Sequence, residues 1–327
     1  MTQQSPFRLP TVTCNSTGQL RKVGFELEFT GLDLEQTTAI VERVFSSRRS
    51  RTSQADAVVE VAGLGTFTIE LDWHYLKQKA TQKKDRPPQG WLDLLSQAAT
   101  LLVPMEVVCP PLAITQLAVL DPLLGELRQA GAMGTEDSVI AAYGVHINAE
   151  IPRLDAATLD SYLRAFGLLQ WWLVDAHQVD VARRISPYVD LYPENYLKQL
   201  FSRHEPDLDT LLQDYLHYNA TRNRALDLLP LLAEVAAGEV RRALPDTKIK
   251  ARPAFHYRLP NCQIDKFDWS LADAWNTWWV VEELARRPND LDDLCARFLS
   301  MDRLLIGVSR NDWTGWIDRW LHDHRLA

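Results

Sequence analysis

The sequence lacks the features of several large protein classes. Its start, MTQQSPFRLP, has no apolar stretch typical of a secretion signal, and no segment reaches the roughly 18 uncharged apolar residues that span a bilayer. Lys and Arg number 35 against 43 Asp and Glu, a formal net charge of −8, so a broad basic surface for nucleic acid is absent. These absences predict a cytoplasmic protein with neither a membrane nor a nucleic-acid partner. Any anionic ligand must be held locally.

Cysteine is scarce, and no phosphate-binding loop is present. The four cysteines show neither CxxC spacing nor the density of a small secreted scaffold, which favours reduced, structural thiols. The Walker A pattern is missing, so Gly63 and Gly65 are interpreted as turn residues and not as a phosphate cradle. The sequence also has no repeat of 20–50 residues, which argues against a solenoid.

The composition and the first half of the sequence indicate a globular chain rich in strands. The 327 residues are 46% hydrophobic and 24% charged, which fits about two domains or one large one. Helices are predicted at 33–47, where Asp33 is a candidate cap, and at 114–130. Short runs with a period of two predict strands at 23–29, 57–61, 66–73, 103–109 and 143–150.

The second half of the sequence is mainly helical. Apolar residues recur at helical spacing from about residue 155 through 226–235, and a period of two returns once, at 254–260. Tryptophans three or four residues apart near the end are typical of packed helix faces. We expect one catalytic domain at 1–260, with 20–150 rich in strands, 151–250 helical and 254–260 a closing strand, and a Trp-rich helical extension at 261–327 packed on it.

Each predicted strand has an apolar face and a polar face, because residues two apart share a face. Val23, Phe25 and Leu27 lie on the apolar side. The pattern predicts an α+β protein with a largely antiparallel sheet, helices on one face and an open face on the other, although ordinary solvation would also explain the alternation. The polar face carries Glu26, Glu28, Asp72, Glu106, His146, Asn148 and Arg258.

The residue types on this polar face point to a site for metal and phosphate. Carboxylates gathered on one surface repel one another unless cations join them, and Mg²⁺ prefers carboxylate oxygens, water and substrate phosphates. Arg258 offers a planar fork that matches two phosphate oxygens. Lysine, which is common on solvated strands, is absent from the core of these segments. We therefore predict a metal-dependent phosphate site on the open face.

Seven segments resemble the amidoligase family of the carboxylate-amine ligase superfamily, which includes glutamine synthetase and glutamate-cysteine ligase. The likeness spans about residues 23–260, in family order, and its first and third motifs are the most specific. The segments are VGFELEF at 23–29, TIELDWHY at 68–75, MEVVCPPL at 105–112, YGVHINAE at 143–150, ARRISPY at 182–188, TRNRALDLL at 221–229 and FHYRLP at 255–260.

The resemblance implies a glutamine-synthetase-like catalytic fold and ATP-dependent amide formation with Mg²⁺ or Mn²⁺. A substrate carboxylate, from a small molecule or a peptide, would become an acyl phosphate that an amine then attacks. By resemblance, the catalytic residues would be Asp72, which steers or deprotonates the amine, His146 and Arg258. The metal ligands would be Glu26, Glu28, Glu106, His146 and Asn148. Phosphates or a substrate carboxylate would be bound by Arg183, Arg184, Arg222 and Arg224.

Three positions depart from the family pattern. Asn148 replaces the second histidine of the HxH strand, His256 replaces the glutamate before the last arginine, and Asp227 replaces an asparagine. An amide oxygen still binds a metal, but more weakly than a carboxylate. Two alternatives therefore stay open: a divalent-metal phosphohydrolase that activates water, and a nucleotide-binding or assembly protein on an inactivated ligase fold.

Overall fold

A single sheet organises the protein. The computed structural model describes residues 6–71, 104–135, 143–185, 189–246, 249–302 and 307–327. All pairings between the named strands in these ranges are antiparallel, in the order β2-β3-β4-β5-β1-β7-β9-β8, with β6 also paired to β1. The strands are β1 (Lys22–Phe29), β2 (Arg48–Thr52), β3 (Asp56–Val61), β4 (Gly65–Leu71), β5 (Met105–Val108), β6 (Leu112–Ala113), β7 (Val145–Ala149), β8 (Leu226–Asp227) and β9 (His256–Tyr257).

Helices surround the apolar face of this sheet. Those in the described ranges are α1 (Leu34–Val44), α2 (Asp121–Gln129), α3 (Ala156–Ala176), α4 (Val181–Ile185), α5 (Glu194–Ser202), α6 (Leu208–Asn219), α7 (Leu229–Ala243), α8 (Leu271–Ala285), α9 (Pro288–Ser300) and α10 (Arg310–Asp323). None of these helices combines the length and apolarity needed to cross a membrane. The protein is thus α+β with a mostly antiparallel, open sheet, as predicted.

The central strand β1 confirms the predicted two-faced pattern. Phe25, Leu27 and Phe29 are fully buried, whereas Glu26 and Glu28 are partly exposed on the opposite face. Because β1 lies between β5 and β7, its polar residues face neighbours on both sides. Because of this central position, β1 supplies the residues at the middle of the site described below.

Local signals in the sequence set several boundaries correctly. Asp33 caps α1: its carboxylate accepts from the backbone amide of Gln36, and the backbone amide of Asp33 donates to the side-chain oxygen of Gln36. The turn between β3 and β4 places Gly63 at φ +79° and Gly65 at φ +120°, which glycine adopts without a steric penalty.

Four elements illustrate where the structure differs from the sequence prediction. The helical run at 226–235 begins only at Leu229, because 226–227 pair with β9 as strand β8. The strand expected over 254–260 is reduced to β9, flanked by single bridges. The segment 114–130 divides into a short 3-10 helix and α2, with Pro122 in the first turn of α2. The fourth is β2, which was not predicted because its five polar residues show no alternation.

The core lies between the apolar face of the sheet and the helices. Helix α3 packs against α8, α9 and α10. Trp275, Trp278 and Trp313 are fully buried, which confirms that these tryptophans belong to packed helix faces. The Trp278 ring contacts Phe255 and Tyr257, next to and within β9, at centroid distances of 5.7 and 4.9 Å. The domain boundary at residue 260 stays a prediction.

Candidate functional site

Strand register brings the acidic residues of the open face into two adjacent rows. Glu106 on β5 stands opposite Glu28 on β1 and, on its other side, opposite Glu70 on β4. Glu26 on β1 stands opposite His146 on β7. Directly opposite residues of an antiparallel pair have Cβ atoms about 4.5–5.5 Å apart, so these side chains share one small volume.

Glu26 is held as a carboxylate by its neighbours. Its Oε1 accepts a 2.8 Å hydrogen bond from Asn148 Nδ2, and its Oε2 lies 2.8 Å from His146 Nδ1. Burial alone raises the pKa of Glu26, but the charge of His256 and the hydrogen bond with His146 outweigh burial and lower that pKa well below its ordinary value. Glu26 is therefore a charged acceptor at neutral pH.

His146 joins two groups of possible metal ligands. Its Nδ1 faces Glu26, while its Nε2 lies 3.5 Å from Glu28 Oε1. One group contains Glu26, His146 and His256, and the other contains Glu28, Glu106 and His146. Within each group the donor atoms lie within 4.8 Å of one another. Both groups are compatible with a divalent cation.

His256 lies close to the other two members of its group, Glu26 and His146. Its Nε2 is 3.4 Å from His146 Nδ1 and 3.7 Å from Glu26 Oε2. Its Nδ1 is 3.2 Å from Arg258 Nη2 and 3.7 Å from the buried carboxylate of Asp227. Burial and then the charge of Arg258 lower the pKa of His256, whereas the charge of Glu26 opposes this shift.

The position of Glu28 is fixed by Gly144 and Arg183. The Gly144 amide donates a 2.7 Å hydrogen bond to Glu28 Oε2, and the Glu28 amide donates to the Gly144 carbonyl at 3.0 Å. Arg183 lies directly against Gly144, where a Cβ would come within 2.5 Å of Arg183 Nη2. Burial lowers the pKa of Arg183, and the charge of Glu28 opposes this change.

The arginines predicted to bind phosphate have different surroundings. Arg183 is buried and donates to the carbonyl oxygens of residues 258–260. Arg184 is exposed. Arg222 lies 3.4 Å from Asp246, and Arg224 donates to two backbone carbonyls. Of the arginines proposed from the sequence, Arg258 is the one whose guanidinium directly borders the cluster of His256 and Asp227.

Four residues of the site were missing from the predicted set: His256, Glu70, Arg252 and Asp227. Glu70 lies next to Glu106, and burial raises its pKa while a hydrogen bond with Glu106 opposes that shift. Arg252 donates a 2.7 Å hydrogen bond to Asn148 Oδ1. Asp227 is buried beside His256. The alternation in β4 already placed Glu70 on the polar face, whereas Arg252 lies outside any periodic segment.

The structure brings together most of the residues predicted for the site. Asp72, the candidate for steering the amine, lies outside the described residues. The predicted residues gathered around the two groups are Glu26, Glu28, Glu106, His146, Asn148 and Arg258.

One comparison with known proteins bears on this arrangement. Residues 19–280 match a protein family described as "Putative amidoligase enzyme". That stretch covers most of the chain, contains every strand of the sheet and includes both groups of candidate ligands. No curated protein matches the chain.

Proposed function

The chain belongs to the amidoligase family, and we propose that it is an ATP-dependent carboxylate-amine ligase on a glutamine-synthetase-like fold. In this proposal it forms an amide between a small-molecule or peptide carboxylate and an amine. The observation that carries the proposal is the convergence of Glu26, Glu28, Glu106 and His146 on one face of the matched region. Two groups of converging metal donors are not expected on a sheet face that is only exposed to solvent.

The group of Glu28, Glu106 and His146 fits a hard divalent cation. Two carboxylates and one imidazole leave room for water and phosphate oxygens in an octahedral shell, as Mg²⁺ or Mn²⁺ requires. Bound there, the ion would neutralise phosphate charge during transfer of the γ-phosphoryl group of ATP. The protein contributes the fixed position of Glu28, which Gly144 holds through its amide.

Cationic side chains beside the two groups of candidate ligands support binding of a polyanion. Arg258 and Arg252 lie next to His256 and Asn148, where they can balance a bound phosphate group. Asp72 keeps its proposed role in steering or deprotonating the amine. Activation by ATP is needed because direct condensation of a carboxylate with an ammonium group is unfavourable in water.

Turnover assays with matched reactants test this function. We expect release of phosphate from ATP to require Mg²⁺ or Mn²⁺, a carboxylate and an amine together. Amino acids, polyamines and short peptides form the panel. Phosphate release that is independent of any amine would favour a phosphohydrolase, and tight nucleotide binding without turnover would favour a nucleotide-binding or assembly protein.

Two variants and a metal-free control complete the test. Glu26→Gln and Glu28→Gln should each abolish turnover, whereas Glu60→Gln, an exposed position on the same sheet, should not. Calorimetry with a non-hydrolysable ATP analogue should show binding with Mg²⁺ and none with EDTA, because acidic side chains repel a polyphosphate without cations. Equal affinity in both conditions would reject the metal-bridged site.

A further inference from the structure

The group of Glu26, His146 and His256 has a different donor chemistry from its neighbour. It offers two imidazole nitrogens and one carboxylate oxygen, whereas the neighbouring group offers two carboxylates and one imidazole. Imidazole favours Fe²⁺, Co²⁺, Ni²⁺, Cu²⁺ and Zn²⁺, while oxygen ligands favour Mg²⁺. The two groups should therefore prefer different ions.

The three donor atoms are spaced for direct coordination of a small ion. Glu26 Oε2, His146 Nδ1 and His256 Nε2 are separated by 2.8, 3.4 and 3.7 Å. The circle through three atoms so spaced has a radius of about 1.9 Å, so an ion about 2.1 Å from each, the length of a Zn²⁺–nitrogen bond, fits close to their plane. Little rearrangement of the backbone is needed to bind it.

Each donor also has an outer partner that orients it. Asn148 fixes the second oxygen of Glu26 and is itself held by Arg252. When His146 binds through Nδ1, its Nε2–H points towards Glu28 Oε1, 3.5 Å away, so an ion in the neighbouring group would then be held by Glu28 and Glu106 without His146. Carboxylates placed behind metal-binding imidazoles in this way set the tautomer and raise the basicity of the ligand.

The outer partners of His256 include a competing cation. With Nε2 on the metal, the ring proton is on Nδ1, which faces Asp227 Oδ2 at 3.7 Å. Arg258 Nη2 is 3.2 Å from the same Nδ1 and 3.9 Å from Asp227 Oδ2. Arg258 must therefore move towards Asp227 when the metal binds, which is a shift of one side chain.

We infer that Glu26, His146 and His256 form a site for a first-row transition-metal ion such as Fe²⁺, Co²⁺ or Zn²⁺, and not for Mg²⁺. Three protein ligands leave at least one coordination position for water or for a substrate oxygen. The site shares Glu26 and His146 with the proposed ligase centre, but its existence rests on the donor geometry. Its test therefore requires no turnover.

Cobalt absorption provides the direct test with the full-length protein. Metal is first removed with a chelator, and Co²⁺ is then added while the visible d–d absorption is recorded. We expect saturation at one equivalent of Co²⁺, loss of the band on addition of equimolar Zn²⁺, and no loss with about 100-fold excess Mg²⁺. Displacement of Co²⁺ by that excess of Mg²⁺, or the absence of any band, would overturn the inference.

A substitution at His256 locates the site. His256→Glu makes the donor set richer in oxygen and should weaken Co²⁺ binding about 10-fold or more, with improved competition by Mg²⁺. His204→Gln removes an exposed histidine outside the group and should leave the band unchanged. Circular dichroism checks folding of His256→Glu, and the competition in the unaltered protein decides the matter if that variant does not fold.

The two proposals fail in different ways. A protein that binds Co²⁺ in preference to Mg²⁺ but turns over no ATP would reject the ligase and keep the metal site. A protein that turns over ATP with Mg²⁺ alone and shows no cobalt band would support the ligase and reject the transition-metal site.

Discussion

Arg21 and Glu282 form a two-armed ion pair inside the core. Arg21 Nη1 donates a 2.8 Å hydrogen bond to Glu282 Oε2, and Arg21 Nη2 donates one of the same length to Glu282 Oε1. The side chains of Arg21 and Glu282 are 0% and 1% exposed. Tyr162 and Trp278 also donate to the Glu282 carboxylate, at 2.5 and 2.9 Å. The pair joins the residue before β1 to helix α8, so the position of the central strand depends on a residue 261 positions away.

Breaking this pair should strongly destabilise the fold. Arg21→Met leaves the Glu282 charge buried without its partner, and removal of one member of such a pair costs about 3–5 kcal/mol. Replacing both members, as in Arg21→Met with Glu282→Leu, should restore part of the loss because no isolated charge remains. Urea unfolding followed by circular dichroism measures each free energy of unfolding.

The exposed pair of Arg43 and Glu126 is the matched control. Its side chains are 63% and 39% exposed, so Arg43→Met should cost less than about 1 kcal/mol. A cost for Arg21→Met that is no larger than that of the exposed pair would show that the buried contact contributes little.

Gly144 is predicted to be indispensable for the site rather than for the strand pairing. In Gly144→Ala the new methyl group would meet Arg183 Nη2 at 2.5 Å and Glu28 Oε2 at 3.4 Å. Because Arg183 is held by three backbone carbonyls, we expect Glu28 to be displaced and Mg²⁺-dependent nucleotide binding to weaken about 10-fold or more. Calorimetry measures this affinity.

Gly125→Ala controls for the loss of a glycine. Gly125 lies inside α2 with open space around its missing Cβ, so alanine should stabilise the protein by up to about 1 kcal/mol without affecting nucleotide binding. Unchanged binding in Gly144→Ala would mean that Arg183 moves aside and that Glu28 keeps its position.

Strand periodicity predicted the polar face of this site well. Site residues outside the periodic strands were not identified from the sequence. Glu26, Glu28, Glu106 and His146 lie on strands with one buried face, where a shift of one residue would expose the whole apolar set. Arg252 lies in an irregular segment, and Asp227 in a strand of two residues inside a run that reads as helix. The pair of Arg21 and Glu282 is a long-range contact that no local pattern reports.

His177 should make the fold sensitive to acid. Burial lowers its pKa from 6.5 to about 3, and its Nε2 lies 2.7 Å from the hydroxyl of Tyr257. The folded state therefore binds fewer protons than the unfolded chain between these values, and its stability falls as the pH drops from about 6.5 towards 3. His177→Gln should reduce the slope of stability against pH by up to about 1.4 kcal/mol per pH unit.

Urea unfolding at several pH values between 7 and 4 checks this slope, with His204→Gln as the comparison. His204 is exposed, and its replacement should leave the slope unchanged. Parallel slopes for the unaltered protein and His177→Gln would contradict a neutral His177 in the folded protein.

Arg258 best separates a ligase site from a structural cluster. Its Nη2 lies 3.2 Å from His256 Nδ1 and 3.9 Å from Asp227 Oδ2, and within the described part of the chain its buried Nε has no hydrogen-bond partner. A buried N–H without a partner carries a cost of about 1–3 kcal/mol, which a bound phosphate oxygen would remove. The unpartnered Nε therefore favours a role for Arg258 in binding an anion over a role in which His256 and Asp227 satisfy its hydrogen bonds.

The two roles of Arg258 predict different damage from the same substitutions. If it clamps the transferring phosphoryl group, Arg258→Lys keeps the charge but loses the planar fork, and ATP turnover should fall about 10²-fold or more with little change in melting temperature. If it serves as a counter-ion for Asp227, Arg258→Lys should be nearly silent, and Arg258→Ala should lower the melting temperature by leaving a buried carboxylate unpaired. Turnover and thermal unfolding are measured for both variants beside Arg153→Lys, an exposed arginine that pairs with Asp155. Since Arg258 has only long contacts to acidic groups here, we expect the first pattern, and a silent lysine variant beside an unstable alanine variant would reject the clamp.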